Sequence, residues 1–223
     1  MPVYQMPFCR VENVLQAVIE GRLCTLLVKR AEEPYKGFWG LPGGVLRIDI
    51  DKTLDAAALR VAKERLNVTR ESLQQLAAVG AAGRDPRGEN DWGLSVVYYA
   101  LVPESSVDPQ AGKRVSDLKW FPVDDPLPEM AFDHGDLVTK AVETTRSDIA
   151  NLKFPRGFVP ERFTLSELQL LCEQALGSKI DKASFRRKLR DRALVEPAHG
   201  EQQRGGAHRP AAVFQLTSQN LSK

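Results

Sequence analysis

The chain has 223 residues, 43% hydrophobic and 27% charged, which is typical of a globular protein with one domain of about 150 residues and a smaller second one. Its start lacks the basic region and apolar core of a secretion signal, and no run approaches the roughly 20 apolar residues that cross a bilayer. We therefore expect a cytoplasmic protein without a membrane partner. Cys9, Cys24 and Cys172 show neither metal-ligand spacing nor an even-numbered framework, so we expect reduced thiols.

The first part of the chain alternates β-rich runs with one clear helix. VLQAVIE and LCTLLVKRAEE are joined around Glu20-Gly21-Arg22, which predicts a hairpin. A glycine-rich turn, GFWGLPGG, follows at residues 37–44, where glycines permit positive φ and a close approach of backbone to a ligand. A helix is predicted over residues 54–66, with a buried stripe at positions 54, 58, 62 and 66. With further strands at residues 94–102 and in DLKWFPVDDP, the pattern predicts a mixed α/β sheet flanked by helices.

The stretch GGVLRIDIDKTLDAAALRVAKERLNV, residues 43–68, resembles a degenerate Nudix box. The family pattern is Gly, five residues, Glu, seven residues, then Arg-Glu-apolar-x-Glu-Glu-x-Gly-apolar. Anchoring on Arg60 places Lys52 at the first Glu, with two extra residues after Gly44. Of the three helix carboxylates, only Glu64 survives; Val61 and Arg65 replace the others.

These replacements predict a binding site rather than an enzyme. The resemblance implies that divalent cations are held by the box glutamates, and one carboxylate beside two cations is a poor Mg²⁺ site. Without metal, hydrolysis is expected to be weak or absent, with no catalytic residue and no cofactor. Lys52 and Arg65 are instead suited to pair with a diphosphate. A Gly-Gly turn before an amphipathic helix is also common where no such site exists.

The C-terminal region is basic and organised. Residues 178–209 hold nine Lys or Arg against four acids. TLSELQLLCEQALG opens with a capping box, Thr164 and Glu167, and ends at Gly177. A second helix is predicted to begin near Asp181, with apolar positions at Phe185, Leu189 and Ala193. After it, two short apolar runs around a Gly-, His- and Arg-rich loop predict a hairpin. Helix, basic helix and hairpin together predict a winged helix at 164–223, after a first domain at 1–152 and a linker at 153–163.

The basic helix is expected to enter the major groove of DNA, where Lys and Arg neutralise phosphates and other side chains read bases. The candidate contacts are Lys182, Ser184, Arg186, Arg187 and Arg190 on the helix, and Arg204, His208 and Arg209 in the loop. The alternative is that these side chains form only a solvated helix face.

A degenerate Nudix domain followed by a winged helix resembles the Nudix-related transcriptional regulator family, NrtR. The resemblance rests on LPGGVLRIDIDKTLDAAALR, on GRDPRG at 83–88, on AFDHGDLV at 131–138, and on FTLSELQ with DKASFRRKLRDRALVE. It implies a homodimeric repressor of genes of NAD metabolism that binds palindromic operator DNA. It also implies an effector, ADP-ribose or a related nucleotide, in the Nudix cleft, although some relatives use sugars.

The resemblance and the residue chemistry together give a set of candidate effector ligands. They are Gly43, Gly44, Lys52, Glu64, Arg65, Arg84, Arg87 and His134. For Arg84 and Arg87 the alternative is a turn held by an Arg-Asp pair, and for His134 it is a structural histidine. Two other functions stay open: an active pyrophosphohydrolase with a basic docking tail, and a DNA-binding protein whose Nudix domain only dimerises.

Overall fold

The protein consists of a larger sheet-and-helix unit and a smaller helical unit that share one hydrophobic core. The computed structural model describes residues 5–66, 68, 73–87, 91–107, 115–155, 157–198 and 212–217. Within these residues the larger unit is a seven-stranded mixed sheet between two helices. The smaller unit combines two helices with a three-stranded sheet in the same described ranges. The predicted architecture, a mixed α/β sheet flanked by helices and followed by a winged helix, is confirmed.

The larger sheet has at its centre a strand whose middle part is buried. Its strands are β1 (Phe8–Ile19), β2 (Arg22–Arg30), β3 (Trp39–Gly40), β4 (Gly43–Val45), β5 (Gln74–Ala82), β6 (Trp92–Leu101) and β7 (Val115–Pro122). The order is β3-β2-β1-β6-β5, with β4 paired to β1 and β7 paired to β2. β1 and β6 run parallel, and the other pairs are antiparallel. Residues 11–17 of β1 are all buried, as expected of a strand covered on both faces.

The predicted hairpin between β1 and β2 is confirmed. Its turn residues Glu20 and Gly21 have φ of 48° and 79°, and Ile19 pairs with Arg22 across the turn. Two left-handed residues in succession give the turn a twist that matches the two strands.

The helices of the larger unit cover opposite sides of the sheet. They are α1 (Leu54–Leu66), with the predicted bounds, and α2 (His134–Ala150). α1 buries small residues, among them Ala57, Ala58 and Val61. Leu54, expected in the buried stripe, is 39% exposed because the first turn of α1 lies at the surface.

The smaller unit is a winged helix whose helix ends follow their sequence signals. Its elements are β8 (Phe163–Thr164), α3 (Leu165–Leu176), α4 (Lys182–Asp191), β9 (Val195–Pro197) and β10 (Val213–Leu216). The capping box is confirmed, since the Thr164 hydroxyl accepts from the Glu167 N–H at 3.2 Å and the Glu167 carboxylate from the Thr164 N–H at 2.7 Å. Gly177 ends α3 with φ of 69°. Ala193, predicted as a buried position of α4, is exposed because the helix ends at Asp191.

The two units are joined by packing as well as by chain. Leu137 and Val138 of α2 belong to the same buried cluster as Leu168 and Cys172 of α3. The segment 153–163 contributes Phe154, Phe158 and Phe163 to this cluster, each at most 8% exposed. It is therefore a packed segment of the core. No helix in the described part of the chain combines the length and the apolar character needed to cross a bilayer.

Candidate functional site

A cleft of about 200 Å³ lies above β4, at the turn that leads from β3 to α1. Among its described lining residues are four arginines: Arg10, Arg30, Arg65 and Arg87. They come from β1, from the end of β2, from α1 and from the loop after β5. Glu32 and Glu33 are the acids of the same described lining, so positive charge is in excess.

Three of these arginines are held in place by the protein. The Nε of Arg10 donates to Glu12, and that of Arg87 to Asp85, each at 2.7 Å. The Nε of Arg30 donates to the carbonyl of Pro34, also at 2.7 Å. Burial lowers the pKa of Arg30, and the charges of Arg87 and Arg10 lower it further. Because like charges are held close together, an anion bound among them would be stabilised.

Glycine is required at the floor of the cleft because side chains approach its backbone closely. A Cβ at Gly43 would lie 1.6 Å from Oε2 of Glu12, and a Cβ at Gly44 would lie 2.8 Å from Val61. Glu12 is 1% exposed, and its Oε2 has no hydrogen-bond partner within the described residues. The glycine pair therefore leaves room for the carboxylate that orients Arg10.

The acid that faces Arg60 is Asp51, whereas the sequence alignment placed Lys52 at the acidic position. Arg60 donates to both Asp51 oxygens at 2.7 Å, and Asp51 has a side-chain exposure of 2%. Lys52 is exposed and is not in the lining of the cleft. Arg60 therefore pairs with the acid one residue before Lys52, the position that the family spacing assigns to the box Glu.

The box residues do not fit a magnesium ion. Glu64, the surviving carboxylate, lies 3.1 Å from Nη1 of Arg60, with 53% of its side chain exposed. Glu64 is also outside the lining of the cleft. Of the two residues that replace the other helix carboxylates, Arg65 lines the cleft and Val61 is buried. The described residues contain no group of three or more His, Cys, Asp or Glu side chains that could hold a metal ion. Since Mg²⁺ binds through several oxygen ligands, these residues lack the donor set.

Arg84 and His134, both candidate effector ligands, are not in the lining of the cleft, and both have hydrogen-bond partners within the protein. Arg84 donates to both oxygens of Asp133 at 2.7 and 2.8 Å and to Ser95 at 2.8 Å, with its side chain 9% exposed. His134 is 4% exposed, and its Nδ1 accepts from the Leu41 N–H at 2.9 Å. Burial lowers the pKa of His134 to about 4. Both side chains therefore fix the start of α2, which was the alternative considered for the histidine.

Aromatic rings support the arginines of the cleft. The guanidinium carbon of Arg30 lies 5.2 Å from the ring centre of Phe132, and that of Arg87 lies 4.9 Å from it. Arg87 is also 5.3 Å from the ring centre of Phe8. A ring face attracts cations, so these contacts orient the guanidiniums in addition to the ion pairs.

Sequence reasoning missed Arg10, Glu12 and Arg30. Arg10 and Glu12 lie two residues apart on β1, so their side chains share one face of the strand. The feature of the sequence that could have identified these three residues is the presence of charged side chains inside otherwise apolar strands.

The second candidate surface is the exposed side of α4. Phe185 and Leu189 are buried and fix the helix on its unit, while Lys182, Arg187 and Arg190 are exposed. Ser184 is half-buried, and its N–H donates to the N-cap Asp181 at 2.8 Å.

Arg186 is a less accessible candidate than its neighbours. It is half-buried, and its Nη2 donates to the hydroxyl of Ser166 on α3 at 3.2 Å. The loop candidates Arg204, His208 and Arg209 lie outside the described residues.

Comparison with known proteins covers both units. Residues 156–216 match the NrtR DNA-binding winged helix domain, and residues 13–141 match the NUDIX domain. The ADPR responsive transcriptional repressor NtrR of Acinetobacter baylyi is 32% identical over 218 residues, which are 97% of this chain and 85% of that protein. Shewanella oneidensis NrtR, in a crystal structure with a 27mer DNA, is 33% identical over 96% of this chain and 95% of that chain, with a TM-score of 0.78. The NUDIX domain of the same Shewanella protein, in a cocrystal with ADP ribose, is 36% identical over 63% of this chain and 90% of that chain, with a TM-score of 0.57.

Proposed function

The chain belongs to the NrtR family of transcriptional regulators, and from this premise we propose that it is an ADP-ribose-responsive repressor of genes of NAD metabolism. The observation that carries the proposal is the cluster of guanidiniums in the cleft beside the degenerate box. The larger unit, residues 1–152, is the sensor, and residues 164–223 bind the operator.

The diphosphate of ADP-ribose suits the charge and geometry of the cleft. Planar guanidinium forks match phosphate oxygens and bind them by charge-assisted hydrogen bonds. Arg10 and Arg87 are oriented by their carboxylate partners before a ligand arrives, which reduces the entropy lost on binding. Arg65 supplies a further donor from α1, at a box position where the family pattern has Glu.

The same replacements support binding without efficient hydrolysis. Glu64 is paired with Arg60 and is not in the cleft lining, so the diphosphate would meet cations where a hydrolase would present metal ligands. Metal would supply the polarisation of the bridging phosphate and the acidity of the attacking water. The protein is therefore a sensor that holds its ligand intact.

The exposed face of α4 is the proposed reader of DNA. Lys182, Arg187 and Arg190 lie together on a helix whose opposite side is buried in the core of its unit. Such a helix fits the major groove, with its cations on phosphates. We expect a homodimer on a palindromic operator, because two-fold protein symmetry then matches two half-sites.

The effector releases DNA only if it binds the arrangement that is incompetent for DNA more tightly. The segment 153–163 was proposed as a linker that transmits this change. Because three of its aromatic residues are buried, we place the change in the spacing of the two reading helices of the dimer. This change does not require one winged helix to rotate freely relative to the larger unit.

Fluorescence anisotropy with a duplex from the upstream region of the protein's own gene tests the function. We expect saturating ADP-ribose to weaken operator binding by about tenfold or more, and NAD or a sugar to have less effect. Operator affinity that does not change at saturating ADP-ribose would remove the proposal. Rapid release of AMP from ADP-ribose and Mg²⁺ would favour a hydrolase instead.

Arg65→Glu tests the cleft itself, with Lys63→Glu as the matched control. Both substitutions make the same charge change on α1, but Lys63 is exposed and Arg65 lines the cleft. By calorimetry we expect Arg65→Glu to weaken ADP-ribose binding by about tenfold or more, which is about 1.4 kcal/mol, and the control to change it little. Equal losses in the two variants would refute a local contact at Arg65.

A further inference from the structure

The start of α2 contacts three residues of the cleft lining, and it is also paired with Arg84 in the loop after β5. The ring of Phe132 lies against the guanidiniums of Arg30 and Arg87 at 5.2 and 4.9 Å. The next residue, Asp133, accepts two hydrogen bonds from Arg84, at 2.7 and 2.8 Å. His134 then accepts from the N–H of Leu41, at 2.9 Å, just before the glycine pair of the cleft floor. A displacement of Arg30, Arg87 or Leu41 is therefore expected to reach the first turn of α2.

The other end of α2 is attached to the winged helix. Arg146 donates through Nε to the carbonyl of Ala175 near the end of α3, at 3.3 Å. Arg192, just beyond α4, donates to the carbonyl of Asn151 at 2.9 Å. Between these ends α2 has 17 residues, and at 1.5 Å per residue it spans about 25 Å. One stiff element therefore connects the arginines of the cleft with both helices of the winged helix.

Phe132 is a strained residue at the cleft end of this path. Its φ is 55°, a left-handed conformation that is sterically unfavourable for a bulky side chain. The contacts of its ring with two guanidiniums help to hold it there. Phosphate oxygens form stronger, charge-assisted hydrogen bonds with the same guanidiniums. An anion that draws Arg30 and Arg87 into the cleft therefore competes with the ring of Phe132 for these two side chains.

We propose that Phe132 is a positioning residue that passes occupancy of the cleft to α2, an inference that rests on the proposed binding of ADP-ribose. When the diphosphate draws Arg30 and Arg87 towards itself, the ring loses its cationic partners. The strained turn before α2 then relaxes, and the first turn of the helix shifts. Because α2 and α3 share one core, the shift moves the winged helix as a body. The displaced reading helix no longer matches the spacing of the operator half-sites.

Two substitutions at one position test the relay. Phe132→Asn removes the ring, and asparagine adopts the left-handed conformation more readily than phenylalanine, so the fold is retained. Phe132→Tyr keeps the ring. The control is Phe38→Leu, which removes a ring of the same aromatic group, one that meets Tyr35 edge-on at 5.7 Å. Circular dichroism checks the fold, and calorimetry sets the ADP-ribose concentration that saturates each variant.

The readout is the ratio of operator dissociation constants with saturating ADP-ribose and without it. We expect a ratio of about tenfold or more for the wild type, Phe132→Tyr and Phe38→Leu, and below about threefold for Phe132→Asn. A purely structural role would lower operator affinity in both states and leave the ratio unchanged.

A Phe132→Asn ratio equal to that of the wild type overturns the relay. Complete loss of ADP-ribose binding in that variant also overturns it, because Phe132 would then be a ligand contact. A wild-type protein that shows no response overturns the proposed function instead, so the two failures are distinguishable.

Discussion

The buried imidazole of His134 predicts that the protein loses stability in mild acid. The ring is 4% exposed, and its Nδ1 accepts the hydrogen bond of the Leu41 N–H at 2.9 Å. Protonation of Nδ1 turns the acceptor into a donor, breaks this bond and buries a charge. Burial accordingly lowers the pKa of His134 to about 4 from its ordinary value of 6.5.

The sign of the effect follows from the two pKa values. The unfolded chain binds the proton more readily than the folded protein, so stability is complete above the unfolded pKa of 6.5 and is lost as the pH falls towards the folded pKa of about 4. Between about pH 7.5 and about pH 5, this linkage lowers the free energy of unfolding by about 2 kcal/mol.

Urea unfolding of the wild type and of His134→Asn at both pH values measures the effect. The Asn side-chain oxygen lies near the position of Nδ1, so it accepts from Leu41 but does not titrate. Acids with lowered pKa, such as Asp85, are present in both proteins and cancel in the difference. We expect the wild type to lose about 2 kcal/mol more than the variant over this range. Equal losses in the two proteins would refute the assigned burial and tautomer of His134.

Two further predictions concern the floor of the cleft and the reading helix. Gly43→Ala places a Cβ 1.6 Å from Oε2 of Glu12, so we expect a loss of about 1–3 kcal/mol in thermal unfolding and weaker ADP-ribose binding by calorimetry. Gly135→Ala, where the nearest atom is at 3.8 Å, is the control, and equal behaviour of the two variants would contradict the clash. Arg187→Ala and Arg190→Ala are each expected to reduce the slope of log affinity against log salt by about 0.9, if that side chain contacts a phosphate. Lys140→Ala, an exposed cation on α2, controls for total charge, and a slope that is the same in all variants would exclude both contacts.

The local features of the fold were predictable because their signals are local. The capping box at Thr164, the left-handed Gly177 and the N-cap Asp181 each depend on residues within one helical turn. The bounds of α1 followed from the period of its apolar residues. The exposure of Leu54 could not be predicted in the same way. Periodicity shows which residues share a face of the helix, but it does not show where the sheet beneath that face ends.

The cleft was harder to predict because its residues are distant in sequence. Arg10, Arg30 and Arg87 meet only when β1, β2 and the loop after β5 are assembled. The pairing of Arg84 with Asp133 joins residues 49 apart, so the sequence did not indicate this partner. The position of Asp51 opposite Arg60 depended on the length of a turn that a fixed family spacing does not describe.

The core shared by α2 and α3 couples the stability of the two units. One buried cluster contains Leu168, Cys172 and Phe185 together with Leu137 of α2. Cutting the chain before residue 153 would therefore expose apolar surface to water on both fragments. Heating should accordingly melt both halves in one step.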